Sequence, residues 1–228
     1  MIYFLACVIT GSTDDSFQES SGPRSCDQVT TELAAELADI QSCTGAWDCG
    51  QELKGSSCGC TRNLVARADA SLEGWQSLMA EGSALGCDLG GSTCDCPAAV
   101  GYACEQSRCT WNYLPSDWGM CSGSGDPFTF DSLSITGDTA FVGVHYGGGC
   151  ATHSFTNCWP DLSFAESNPV QVSLQLSHEG NDDPCDSVVQ DTIEVDLSLV
   201  RRAWQSMYRQ EHGEIRVTIG DQQALYSF

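Results

Sequence analysis

Fifteen cysteines in 228 residues constrain this chain more than any other feature. Cys7 stands alone beside a short apolar start. The other fourteen are Cys26, Cys43, Cys49, Cys58, Cys60, Cys87, Cys94, Cys96, Cys104, Cys109, Cys121, Cys150, Cys158 and Cys185. An even set of this density reads as a disulfide framework, which persists outside a reducing cytosol. Ten of the fourteen fall within 26–113 and four within 114–228, so each part can pair internally. Cys58 and Cys60, and likewise Cys94 and Cys96, are too close along the chain to reach disulfide geometry with each other.

Acidic residues outnumber basic ones 31 to 9, a formal net charge of −22. That field repels phosphate backbones and anionic headgroups, which argues against nucleic acid and against adsorption to a membrane surface. The expected partner is a protein or a glycan at the cell surface. Any membrane attachment is expected through a lipid anchor alone. Residues 1–10, MIYFLACVIT, are apolar but too short to span a bilayer. Phe4-Leu5-Ala6-Cys7 reads as a degenerate lipobox, with Cys7 as the lipidation site and residues 11–25 as a polar tether. The alternative is the tail of an ordinary signal peptide that is removed together with Cys7. Either reading places the protein extracytoplasmically, as an outer-membrane or cell-surface lipoprotein in the first case.

Four segments follow from the pattern: 1–25 leader and tether, 26–113 cysteine-rich helical domain, 114–125 linker, and 126–228 β-domain. Val29, Leu33, Leu37 and Ile40 have helical spacing, with Ser25 as N-cap and Cys26 and Cys43 at the two ends. Residues 43–70, rich in glycine and cysteine, read as irregular loops. A second helix is expected over about 71–85, carrying Leu72, Trp75, Leu78 and Met79 and stopping at Gly86. Cys104 to Cys109 suits a tight hairpin. Beyond the linker, period-two alternation takes over at Phe128/Phe130, Leu133/Ile135, Val142/Val144/Tyr146, Val170 to Leu176, Ile193 to Leu197, Ile215 to Ile219 and Ala224 to Phe228. One helix interrupts it, over 199–210. The expected fold class is α+β: a small disulfide-rich helical domain followed by an Ig-like antiparallel β-sandwich. The sandwich residues 114–228 are expected to fold without the first domain.

Chemistry is sparse. No nucleophile elbow, H-E-x-x-H, phosphate loop or dinucleotide fingerprint occurs, so the chain reads as non-catalytic. The CxC pairs are capable of binding soft metals but read as staples to distant cysteines. His145 and His153 flank Gly147-Gly148-Gly149-Cys150. With Cys150 they form a candidate Cu or Zn corner, if the glycine turn brings two strands together. His178 ends a strand on its apolar phase and either joins them or lies at a rim. Glu179, Asn181, Asp182 and Asp183 offer oxygen ligands for Ca²⁺ without the spacing of an EF-hand. No cofactor is expected beyond such an ion.

Ser42-Cys-Thr-Gly-Ala-Trp-Asp-Cys-Gly50 with Ser57-Cys-Gly-Cys-Thr-Arg-Asn-Leu-Val-Ala-Arg67 resembles a module of uncharacterised cysteine-rich lipoproteins of large-genome soil bacteria. Gly149-Cys-Ala-Thr-His-Ser-Phe-Thr-Asn-Cys-Trp159, Glu166-Ser-Asn-Pro-Val-Gln171 and Asp196-Leu-Ser-Leu-Val200 resemble the β-domain that follows in such proteins. This half is also loosely similar to the C-terminal sandwich of NigD-like lipoproteins. The resemblance implies surface location and disulfides. It carries no activity and transfers no site residue.

Overall fold

The structure is a computed structural model that describes residues 24–56, 62–89, 97–116, 118 and 125–228. Cys7, Cys58, Cys60, Cys94, Cys96 and Cys121 lie outside the described residues. Helix α1, Cys26–Ile40, begins where its cap predicts. The Ser25 hydroxyl accepts from the Gln28 amide at 3.3 Å, and the Gln28 side chain accepts from the Ser25 amide at 2.9 Å. Val29, Leu33 and Ile40 are its buried stripe. Strand β1, Cys49–Leu53, and β2, Leu64–Arg67, pair antiparallel where loops were expected. Helix α2, Glu73–Leu85, ends at Gly86 with φ +74°, the left-handed geometry that favours glycine at a helix stop. Its Trp75 packs with Leu33, Ile40, Leu53 and Ala66.

Strands β3, Ala99–Glu105, and β4, Arg108–Tyr113, form the expected hairpin. Its two turn residues, Gln106 and Ser107, have φ of +50° and +60°, matching the turn twist that two-residue hairpins require. Cys104 and Cys109 sit opposite each other across this hairpin, yet each bonds elsewhere. The bonds are Cys43–Cys104 and Cys49–Cys109, while Cys26–Cys87 joins the start of α1 to the end of α2. All three fall within 26–113.

The remaining chain builds two sheets. Strands β5, Phe128–Thr136, β6, Thr139–Gly148, and β9, Ser187–Asp196, form one in the order β5-β6-β9. Strands β7, Ser154–Cys158, β8, Val170–Glu179, β10, Glu214–Ile219, and β11, Gln222–Ser227, form the other in the order β11-β10-β8-β7. Ala140, Val142 and Val144 of the first sheet share one core with Val172, Leu174, Ile215, Val217 and Tyr226 of the second. The α+β class and mostly antiparallel pairing are as expected. One pair departs from the fully antiparallel sandwich: β10 runs parallel to β8, with Ile215 beside Val170 and Ile219 beside Leu174. The chain reaches that register by leaving β8 for the opposite sheet and returning through helix α3, Ser198–Tyr208. A parallel neighbour needs such a long crossover, which a two-residue hairpin cannot supply.

Helix α3 also joins the two parts of the molecule. Leu199, Val200 and Ala203 enter the sandwich core, and so does Val100 of β3. Gly101 has φ +68°, and a Cβ there would lie 2.5 Å from Ser206 Oγ and 3.2 Å from Ala203 Cα. Glycine therefore lets the hairpin backbone lie directly on the helix. The Tyr102 amide donates to Ser206 Oγ at 3.1 Å. Buried Asn112 donates to the carbonyls of Val100 and Leu199 at 3.0 and 2.8 Å, and accepts from Arg202 Nε at 2.9 Å. Arg209, which caps α3 in left-handed geometry, donates to the carbonyls of Trp47 and Cys49. No described sheet combines strands from β1–β4 with strands from β5–β11, but the apolar core joins Val100 of β3 to both later sheets.

Gly101→Ala is expected to cost about 1–3 kcal/mol in chemical denaturation with disulfides intact, because strain at positive φ adds to the contact with α3. Gly137→Ala is the control: its φ is +56° with nothing within 4 Å of a Cβ, so only the conformational cost of about 1–2 kcal/mol applies.

Candidate functional site

The glycine turn after β6 does bring two chain segments together, but not the trio the spacing suggested. On β6 the buried side carries Val142, Val144 and Tyr146, so alternation turns His145 to the other face. There His145 Nδ1 lies 2.6 Å from Asp131 Oδ1 and is partly exposed. Cys150 bonds Cys185, and a disulfide sulfur is not the thiolate that Cu or Zn requires. Of the three, only His153 enters the interior. Cys158 is disulfide-bonded as well.

His153 instead meets His178 and Asp183. His178, 2% exposed, sits on the inward phase of β8 with the rings of Phe155, Tyr146 and Phe128 at 4.5, 4.7 and 5.7 Å between centroids. His153 stacks on Tyr146 at 4.5 Å. Nδ1 of His153 is 2.8 Å from Nε2 of His178, and its Nε2 is 3.0 Å from Asp183 Oδ2. His178 Nδ1 lies 3.3 Å from the Asp126 carbonyl oxygen. The side chains of His153 and Asp183 are 5% and 3% exposed.

Asp183 is turned inward by backbone donors. The successive amides of Gly149, Cys150 and Ala151 donate to its Oδ2 at 2.8, 2.9 and 2.8 Å, and the Cys185 amide donates to Oδ1 at 2.9 Å. Consecutive amides folded into such a concavity make an anion site. Gly148 and Gly149, with φ of +143° and +113°, allow the turn. A Cβ on Gly148 would lie 2.6 Å from His153 Nε2 and 2.8 Å from Asp183 Oδ2. The Ala151 amide, then His153, then the Cys185 and Cys150 amides hold the Asp183 carboxyl well below the usual carboxylate range, against the opposing effect of desolvation. The acidic loop that offered oxygen ligands for Ca²⁺ spends two of them within the fold. Asp183 serves N–H donors, and Asn181 Nδ2 donates to the Thr152 carbonyl at 2.6 Å. The disulfide Cys150–Cys185 closes the same two loops covalently.

Elsewhere, the sulfurs of Cys43, Cys49 and Cys109 lie within 4.8 Å of one another, and those of Cys150 and Cys185 lie as close to Asp183. Every cysteine in both groups is disulfide-bonded in this structure. No described helix is long and apolar enough to cross a membrane.

A second feature escaped the sequence reading because it forms only at the junction. Trp47, held over Gly45 so closely that a Cβ there would meet its ring at 2.2 Å, lines two clefts. One, of about 660 Å³, is lined by Trp47, Asp138, Arg201, Arg202 and Glu211 among others. The other, of about 700 Å³, is lined by Trp47, Asp48, Arg67, Asp69 and Arg209 among others.

No family model and no curated protein matches the sequence. Two solved structures match part of it. One is a presumed toxin-related protein from Parabacteroides distasonis, 17% identical over 45% of this chain and 50% of that one, TM-score 0.26. The other is a protein of unknown function from Bacteroides vulgatus, 11% identical over 46% and 48%, TM-score 0.29. The chain spans about half the length of each, and likeness at this level carries no functional argument. The disulfides themselves mark an extracytoplasmic protein.

Asp183→Asn should remove an acid-sensitive part of the stability. A depressed carboxylate stabilises above its unfolded value of about 3.9 and ceases to do so as pH falls toward the folded value. Wild type should therefore lose stability below about pH 4 more steeply than Asp183→Asn, measured by urea denaturation at each pH. Equal slopes would show that the amide nest does not hold an ionised carboxylate.

Proposed function

We propose that this protein is a surface-anchored, non-catalytic binding module, lipidated at Cys7, and that its ligand is a glycan seated in the clefts around Trp47. The charge balance around that tryptophan carries the reading. The chain as a whole is strongly acidic, yet four of its nine basic residues gather here, facing four carboxylates. In the first cleft Arg201 and Arg202 face Asp138 and Glu211. In the second Arg67 and Arg209 face Asp48 and Asp69. Locally neutral walls dense in donors and acceptors suit a ligand rich in hydroxyl groups, and an indole face suits the apolar side of a sugar ring.

The walls are also preorganised. Arg201 pairs with Asp138 at 2.9 Å, Arg209 is anchored on the Trp47 and Cys49 carbonyls, and Arg67 donates to Ser42 Oγ at 2.9 Å. Held in place before binding, these groups lose little conformational freedom when a ligand arrives. The surface-lipoprotein resemblance of residues 42–50, 57–67, 149–159, 166–171 and 196–200 supports the surface anchoring alone.

The test is an array of neutral and acidic oligosaccharides probed with the oxidised protein, followed by titration of the best ligand. Trp47→Ala should weaken binding by about tenfold or more, the scale of one lost aromatic hot spot, without lowering the melting transition by a comparable amount. Binding unchanged in Trp47→Ala, or no oligosaccharide bound, would overturn the assignment.

A further inference from the structure

The buried histidine pair has a proton count that two neutral imidazoles cannot satisfy. Three hydrogen-bond gaps run in series: Asp183 Oδ2 to His153 Nε2, His153 Nδ1 to His178 Nε2, and His178 Nδ1 to the Asp126 carbonyl. Both ends of the series only accept. Asp183 already receives four backbone amides and is held ionised, and a carbonyl oxygen carries no proton. Each gap needs one hydrogen, so three are required, whereas two neutral rings carry two. With two, one gap would set lone pair against lone pair in a pocket walled by Phe128, Phe155 and Tyr146.

We propose that His153 and His178 together hold a third ring proton, as an imidazole–imidazolium bridge, and that this proton clasps the loop 147–153 onto the loop 178–185. The cation lies beside the Asp183 carboxylate, so the buried charge is paired. The 2.8 Å separation suits a proton between the two nitrogens and not a metal ion. Zn²⁺ sits about 2.0–2.1 Å from each imidazole nitrogen, and tetrahedral ligands would then stand roughly 3.3 Å apart.

The groups facing the pair are consistent with a retained positive charge. Asp183 contacts His153 directly. Asp126 and Asp182 line a cavity of about 190 Å³ beside both rings, and no arginine or lysine lines it. The Tyr146 ring covers His153, while its hydroxyl turns away toward Asp191 at 3.5 Å. When the third proton leaves, one contact in the series becomes repulsive and the clasp loosens, with Cys150–Cys185 limiting how far the loops part. The device is a proton-sensitive clasp in a protein exposed to the pH of its surroundings. It does not depend on the glycan reading, because it lies in different residues.

The test is nitrogen-15 NMR of the histidine rings in the intact, oxidised protein. Spectra at about pH 5 and pH 9 bracket the ordinary histidine value of about 6.5. The expected result at the lower pH is three ring N–H groups on the pair. At the higher pH one is lost, and the amides of Gly149, Cys150 and Ala151 lose exchange protection after correction for hydroxide. His178→Phe, which keeps an aromatic ring against Phe128 and Phe155, should abolish that pH dependence, and His153→Gln should do the same by a different route. Two ring protons at both pH values, with His178 Nδ1 bare, would overturn the proposal. So would stoichiometric Zn²⁺ or Cu²⁺ binding that is lost in both variants, which would make the pair a metal site.

Discussion

The docking of the β3–β4 hairpin onto α3 is the contact on which the rest of the molecule depends. It is made by backbone, not by large side chains: Gly101 lies on Ser206 and Ala203, and Asn112 satisfies the carbonyls of Val100 and Leu199. Such an interface needs a rigid hairpin. Rigidity comes from Cys43–Cys104 and Cys49–Cys109, which grip the hairpin on both strands and close chain loops of 61 and 60 residues. In the chain-entropy account each closure is worth about 4 kcal/mol, less whatever the two loops share. The same hairpin delivers Val100 to the sandwich core and leaves Trp47 at the seam. The fold, the core and the proposed binding clefts therefore share one support.

The β-domain carries its own miniature of this arrangement. Two loops that share no sheet hydrogen bonds are joined by the Asp183 nest, the histidine pair and Cys150–Cys185. Each component alone is weak or costly: a buried carboxylate, a buried imidazole pair, a run of glycines. Together they satisfy one another, which is the condition under which buried polar groups stabilise rather than destabilise.

Legibility in the sequence followed the range of the interaction. Helix α1 was readable from its stripe and from Ser25, and the sandwich strands from alternation, because both signals are local. Strand β1 was not: Cys-Gly-Gln-Glu-Leu alternates nothing, and its pairing with β2 is fixed by Leu53, Val65 and the disulfides. Strand β7 was missed for the same reason. The parallel β8–β10 register could not be seen, since neither strand's sequence names its partner. At the candidate site the glycine triplet and His178's apolar phase were visible hints. The choice of His178 over His145 as the partner of His153 was not, because it depends on which face of β6 meets β8. Asp183 read only as one oxygen ligand of an acidic loop, since three of the four amides that bind it lie more than thirty residues away.

Amide hydrogen exchange tests the central claim most directly. The comparison is between wild type and a variant in which Cys49 and Cys109 are both serine. If the disulfide-held hairpin supports α3, protection should fall across β3, β4 and α3 together in the variant, while β5, β6 and β9 keep theirs. Protection of α3 that is unchanged when the hairpin loosens would contradict the account and show that the sandwich holds its crossover helix unaided.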